Sequence, residues 1–467
     1  MGFGNKYSHS GWVHRPVAQA PVPILTKFSR LESDWAEYSK PLTLTLSQQR
    51  FVQVFFEGHN CLLSGEAGTG KSYLIKALFA FLTVHRVKVG VTATTGVAAL
   101  NVGGQTLHSF CGLGLADEPV ANLIAKLARN GKAKARMRAI DVLFIDEISM
   151  AKGDLLEKVD GVLRSVRRSD SPFGGVQLVC IGDFCQLSPV FKGDDVQTLA
   201  FTSSSWLAAD IRTVVLKEQI RQKGDAVLLK VLNDLRVGNT SSLHLLHNRV
   251  GATFPKDGID PIYVFTHNAD VDAYNAERLN ILKSQTRTYY ARDTGDERYR
   301  DAFNRNCLAP QELVLKVGAQ VMCLINRLDE DIVNGSIGVV TAFGPSGVTV
   351  RFRSGLAVVE LNEWTIKEQE VAPDGTLRFK TVASRSQIPL RLAWGASIHK
   401  TQGMTLDRVV IDVSKAFADG MVYVGLSRVR DIESLSLVTP ISPSVVRANP
   451  ECVAFYRDIE EQNKSPA

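Results

Sequence analysis

The 467-residue chain has no apolar run approaching the ~20 residues that a membrane-crossing helix needs, which excludes a helical membrane protein. Its seven cysteines are scattered and form no CxxC pair. That spacing excludes a zinc ribbon or a disulfide scaffold and points to reduced thiols in an intracellular protein. His244 and His247 in "HLLHN" have no further ligand nearby in sequence, so they read as structural. There is no internal repeat and no low-complexity tract. The first 31 residues hold no Asp or Glu, two Arg and two Lys, faintly like a mitochondrial presequence. Pro16, Pro21 and Pro23 break any continuous amphipathic helix there, so residues 1–40 are expected to form a flexible lead-in. "MGFGNK" lacks the Ser/Thr of a myristoylation signal. Residues 451–467 carry no motif and are expected to be a tail.

What is present suits a chain that buries a large core and is not globally disordered. The chain is 45% hydrophobic and 22% charged, enough for a sizeable core, and its length implies two to four domains. A net charge of +6 permits a polyanionic partner without requiring one. From 41 to 215, short apolar runs ("NCLLSG", "VKVGVTA", "VLFIDE", "QLVCIGD") alternate with helical segments. This is the texture of a doubly wound parallel sheet. The alternation restarts at "PIYVFT" and finishes with "RVVIDV" and "SLSLVT". Between them, 335–387 is β-branched and broken by Gly, Pro and Ser, predicting a small all-β insertion, a barrel. The fold class is therefore α/β, with a first domain at 41–215 and a second at 216–334 plus 388–450, interrupted by the β module.

The chemistry starts at "GEAGTGKS" (65–72), which fits GxxxxGK[ST] between a predicted strand and helix. Backbone N–H groups of Gly65, Gly68, Thr69 and Gly70 would face phosphates, Lys71 would reach the β/γ-phosphates of ATP, and Ser72 would hold Mg²⁺. In "VLFIDEIS", Asp146 would hold the same ion and Glu147 would deprotonate an attacking water. "GDFCQLSPV" places Asp183 and Gln186 at another strand end, with Gln186 as a γ-phosphate sensor. Arg221 and Arg428, both outside the first sheet, are candidates to neutralise the transferring phosphoryl group. If a second domain supplies them, ATP lies between two domains and its hydrolysis moves them.

"VTATTGVAALNVGGQTLHSFCGLG" (91–114) is rich in Thr, Ser and Gly. Thr95, His108 and Ser109 suit nucleic-acid phosphates. Phe110 either stacks on a base or lies in the core. The six Lys/Arg of "AKLARNGKAKARMR" form a basic patch if they converge and a solvated helix face if they do not.

These motifs, in this order, resemble superfamily-one type-B DNA helicases, most closely the petite-integration-frequency (Pif) family, over residues 41–440. To those above the resemblance adds "LTLSQ", "KVGAQVMCLIN", "VNGSIGVV", "LAWGASIHKTQGMTLD", "YVGLSR" and the signature-like segment 154–178. It implies two RecA-like P-loop domains with a strand-separating element at about 111–139. It also implies 5′-to-3′ translocation on single-stranded DNA, unwinding of forked or partial duplexes, and work in DNA repair, recombination or telomere maintenance. By the same resemblance Gln48 reads adenine, His399, Lys400 and Gln402 couple ATP to DNA, and Gly403 lies near the nucleotide. An RNA–DNA hybrid is a further expected substrate, a monomer the expected state in solution, and nucleus, mitochondrion or bacterial cytoplasm the expected location. Ser188 and Gly425 depart from the family's usual Pro and Ala. The alternatives are a RecD- or phage-type helicase, a non-translocating nucleic-acid-dependent ATPase switch, and an RNA-stimulated enzyme.

Overall fold

The computed structural model describes residues 28–189, 191, 198–222 and 224–464. Its first domain is built on a six-stranded sheet. The strands are β1 (Cys61–Gly65), β2 (Val89–Ala93), β3 (Gln105–Thr106), β4 (Val142–Asp146), β5 (Gln177–Ile181) and β6 (Arg212–Leu216). They lie in the order β3-β2-β4-β5-β1-β6, and every pairing is parallel. The strands are apolar throughout because both faces are covered. Leu62, Leu143 and Ile145 point into one core layer, while Cys61, Leu63, Val142 and Phe144 point into the other. Parallel strands all end on one edge, so the loops after β1, β4 and β5 converge there.

A second, four-stranded parallel sheet carries Gly395–Ser397, Ile262–Phe265, Val409–Ile411 and Leu435–Leu437 in that order. Its core is separate and includes the short helix Met421–Leu426. Gly425 is explained by packing: a Cβ there would come within 2.6 Å of the Ile411 Cδ1.

Three expectations need correction. Among the described residues no sheet closes into a barrel. The β module is an open five-stranded antiparallel sheet that recruits Gln320–Cys323 and Leu390–Leu392 from outside 335–387. Its remaining strands, Asn362–Val371 and Leu377–Gln387, form a long hairpin in a separate sheet with Arg292–Thr294. That hairpin reaches the first domain, where the buried Gln369 side chain bonds the Val91 N–H (2.9 Å) and Val89 carbonyl (2.8 Å). Second, the lead-in is folded from residue 28 onward: helix Glu32–Tyr38 buries Trp35 against Phe56 and Phe81. Residues 1–27 lie outside the described residues. Third, 451–467 is no tail up to residue 464. Helix Pro450–Lys464 buries Cys452 and Tyr456 in the first domain's core.

Candidate nucleotide and nucleic-acid clefts

At the end of β1 the chain turns through Gly68 and Gly70, at φ 90° and 85°, before helix Lys71–Val84 begins. Only glycine tolerates these positions: a Cβ on Gly68 would sit 2.6 Å from the Arg221 Cβ. Lys71 Nζ donates to the Gly65 and Glu66 carbonyls at 2.6 and 2.9 Å. Burial lowers the pKa of its ammonium, against the pull of Asp183 and Glu147. Buried Thr69 donates to the Glu66 carbonyl at 2.9 Å and so braces the loop from inside. Gln48, expected to read adenine, is instead fully buried beneath the same loop and does not border the nucleotide cleft, because its amide is engaged by the protein. Its Oε1 completes a capping box with Thr45 and its Nε2 donates to the Thr69 carbonyl at 3.4 Å.

After β4, Glu147 adopts φ 53°, a left-handed conformation that costs a non-glycine residue energy and turns its side chain toward the second domain. Asp146 accepts the Glu147 N–H at 2.9 Å. Burial, then the neighbouring Asp146, pushes the Glu147 carboxyl up to about 7, against Lys71 and Arg428. Gln402 of the second domain donates to Glu147 Oε2 at 3.3 Å. After β5, Asp183 is paired with Arg236 at 2.8 Å. Burial works against this carboxylate, but Arg236 outweighs it and holds the acid below its ordinary value. Gln186 Nε2 lies 3.5 Å from Asp183 Oδ2.

Both candidate arginines arrive at the same place. The Arg221 backbone N–H bonds the Gly68 carbonyl at 3.2 Å, and its guanidinium donates to the Ser427 carbonyl at 3.2 Å. Arg428 is buried, with Nε donating to the Val424 carbonyl (2.8 Å) and Nη2 to Ser427 Oγ (2.5 Å). Burial, then Arg221, pushes its guanidinium down to about 9. Lys71, Ser72, Asp146, Glu147, Gln186, Arg221, Gly403 and Arg428 thus border one cleft of ≈ 990 Å³ between the domains. Sequence reasoning missed Arg430 on its wall and Arg236 beneath it.

A second cleft of ≈ 710 Å³ also lies between the domains. Thr95, which caps helix Gly96–Asn101, borders it from one side, and His399 and Lys400 border it from the other. Burial lowers the His399 and Lys400 pKa values, with His267 adding to the first and Arg391 to the second. Arg391 borders this cleft too and was not predicted. Glu147, Gln402 and Gly403 border both clefts. Thr94, beside Thr95, bonds the Glu147 carbonyl through its hydroxyl at 2.7 Å.

His108, Ser109 and Phe110 do not join this second cleft. Phe110 is fully enclosed, its ring against Gly90 and 5.4 Å from Arg136 Cζ, so the core reading holds and base stacking does not. Helix Leu107–Cys111 faces Leu107, Phe110 and Cys111 inward together. Ser109 accepts from Gln105 at 3.1 Å, and its carbonyl accepts from Arg136 at 2.5 Å. Burial lowers the His108 pKa, with Asp117 opposing. The basic segment does not converge either: Arg136 is buried, Lys126 pairs with Glu118, and Arg138 donates to the Val166 carbonyl.

Residues 47–241 match the sequence model of the PIF1-like helicase and residues 298–343 that of the DNA helicase Pif1 2B domain. The ATP-dependent DNA helicase PIF1 of Homo sapiens is 37% identical over 455 residues, covering 95% of this chain and 69% of that protein. The Candida albicans protein of the same name is 35% identical, covering 92% of this chain and 58% of that protein. The chain therefore spans roughly three-fifths to two-thirds of the length of such relatives. Unliganded Pif1 from Bacteroides sp superposes with a TM-score of 0.79 at 30% identity, over 90% of this chain and 98% of that one. Bacteroides Pif1 bound to ssDNA, with the same identity and coverage, gives 0.59. Among the described residues no helix is long and apolar enough to cross a membrane.

Proposed function

The chain belongs to the PIF1-like helicase family, and from that premise we propose that it is an ATP-dependent DNA helicase. It translocates 5′ to 3′ on single-stranded DNA and opens forked or partial duplexes ahead of it. The observation that carries this reading is the shared border. Glu147 and Gln402 face the nucleotide cleft and the second cleft alike, so a polymer held in one is one side chain from the chemistry in the other.

In this reading Lys71 binds the β/γ-phosphates of ATP and Arg221 and Arg428 stabilise charge on the phosphoryl group in flight. Gln186 senses the γ-phosphate, and Gln48 braces the phosphate loop from below through the Thr69 carbonyl. Glu147 takes the proton of the attacking water, a role suited to a carboxyl raised toward neutrality. Ser72 and Asp146 fit Mg²⁺: both present hard oxygen donors to the cleft, and two protein ligands leave room for phosphate oxygens and water. The ion would supply neutralisation of phosphate charge.

Thr95, His399 and Lys400 contact the DNA backbone, with the element at about 111–139 meeting the fork. RNA–DNA hybrids are a further substrate, and the working unit in solution is a monomer. The protein acts inside the cell, in DNA repair, recombination or telomere maintenance. Strand displacement on partial duplexes with a 5′ or a 3′ single-stranded tail tests the reading, with Lys71→Ala as control. Unwinding of only the 5′-tailed substrate, absent in the control, is expected. Unwinding of only the 3′-tailed one, or undiminished turnover by Lys71→Ala, overturns it.

A further inference from the structure

Helix Pro450–Lys464 lies beyond every motif, yet one of its side chains bonds the roots of two loops that border the nucleotide cleft. Tyr456 is buried, with its Oη 2.5 Å from Ser64 Oγ and accepting the Phe184 N–H at 3.0 Å. Ser64 immediately precedes Gly65, where the phosphate loop opens, and Phe184 immediately follows Asp183. These two positions matter because β1 and β5 are neighbours whose register ends at Leu63 and Ile181. Past that pair the two chains part: β1 runs on beside β6 to Gly65 and the loop to Lys71, while the chain after β5 turns into the loop that carries Gln186. A single phenol oxygen spans the gap between them.

The ring has a second task. Arg236 Cζ lies 4.4 Å from its centroid, and the same guanidinium holds Asp183 at 2.8 Å. A cation over an aromatic face is attracted to it and restrained in position. Asp183 in turn contacts Gln186. Burial raises the phenol's pKa well above its ordinary value, so the hydroxyl keeps its proton; it shares a hydrogen bond with the Ser64 hydroxyl, in which either oxygen can donate, and accepts the Phe184 N–H.

We propose that Tyr456 is a positioning residue of the ATPase site. Its hydroxyl fixes the spacing between the phosphate loop and the Gln186 loop, and its ring fixes the Arg236–Asp183 pair that supports the latter. The proposal rests on the nucleotide reading above. It gives one side chain of helix Pro450–Lys464 a part in positioning the ATPase site, where a core tyrosine would contribute to stability alone.

Tyr456→Phe removes the hydroxyl and keeps the ring. In the full chain with saturating single-stranded DNA, kcat for ATP hydrolysis should fall about tenfold, the scale of a slightly misplaced reacting group. KM for ATP should stay within about threefold, since ground-state binding is retained. Ser64→Ala breaks the same bond from the other end and should give the same loss, with no further loss in the double variant. Ile459→Ala, one turn along and packed on the same core, should lower Tm and leave kcat intact. An unchanged kcat in Tyr456→Phe, or an equal fall in Ile459→Ala, overturns the proposal. Failure of the parent reading shows separately, as turnover retained by Lys71→Ala.

Discussion

The two clefts between the domains are built on opposite principles. Around the nucleotide cleft three charged groups are held by protein partners: Lys71 by two carbonyls, Arg428 by Val424 and Ser427, Asp183 by Arg236. In the second cleft the side chains of Arg391, His399 and Lys400 have no hydrogen bond or ion pair among the described residues, and Asp272 is the carboxylate that bears on both Arg391 and Lys400. The first arrangement suits chemistry, where donors must be fixed before the reaction and reorganisation is costly. The second suits a sliding polymer, where contacts must form and release at every step and the backbone charge supplies most of the attraction. The proposed helicase needs both, with a link between them, and the Gln402–Glu147 hydrogen bond is the contact that joins the two clefts.

The contrast can be broken most severely at Arg428. Arg428→Ala should reduce DNA-stimulated turnover on the order of 10³-fold while nucleotide affinity, by fluorescent-analogue titration, changes less than about tenfold. A large loss of affinity with kcat preserved would move this arginine from the reaction to ground-state binding. Next comes the opposite cleft. Arg391→Gln should weaken single-stranded DNA binding about tenfold and flatten the slope of log K against log salt by about 0.7, the share of one phosphate contact. DNA-free ATPase should not move, and an unaltered salt slope would remove Arg391 from the DNA path. The smallest functional effect is expected at Phe110. Phe110→Leu should cost about 1 to 1.5 kcal/mol of stability in a denaturant titration, because the smaller side chain leaves part of the ring's enclosed space unfilled. DNA affinity should stay unchanged, and a tenfold weaker affinity would return the ring to the interface.

The same contrast explains what could be read in advance. The nucleotide loops were legible because phosphate binding demands particular backbone geometry, and Gly68, Gly70, Lys71 and the Asp146–Glu147 strand end are its local signature. The second cleft is assembled from side chains far apart in sequence. Arg391 sits alone on strand Leu390–Leu392, and no local pattern marks it. Phe110 was a readable signal left ambiguous: Leu107, Phe110 and Cys111 recur at helical spacing, which favours a buried face. Cys452, Phe455, Tyr456 and Ile459 repeat that spacing, and the pattern could have revealed helix Pro450–Lys464. The β module was legible in composition and not in closure. Whether strands curl into one barrel or part into a sheet and a long hairpin depends on pairing partners as distant as Arg292–Thr294.

The central claim is that the two clefts communicate through the Gln402–Glu147 contact. The direct measurement is the ratio of DNA-stimulated to DNA-free ATP hydrolysis in Gln402→Ala, at saturating ATP and saturating single-stranded DNA. The account predicts that DNA-free turnover stays within about threefold of the parent while stimulation by DNA largely disappears. Stimulation of normal size in this variant would contradict it.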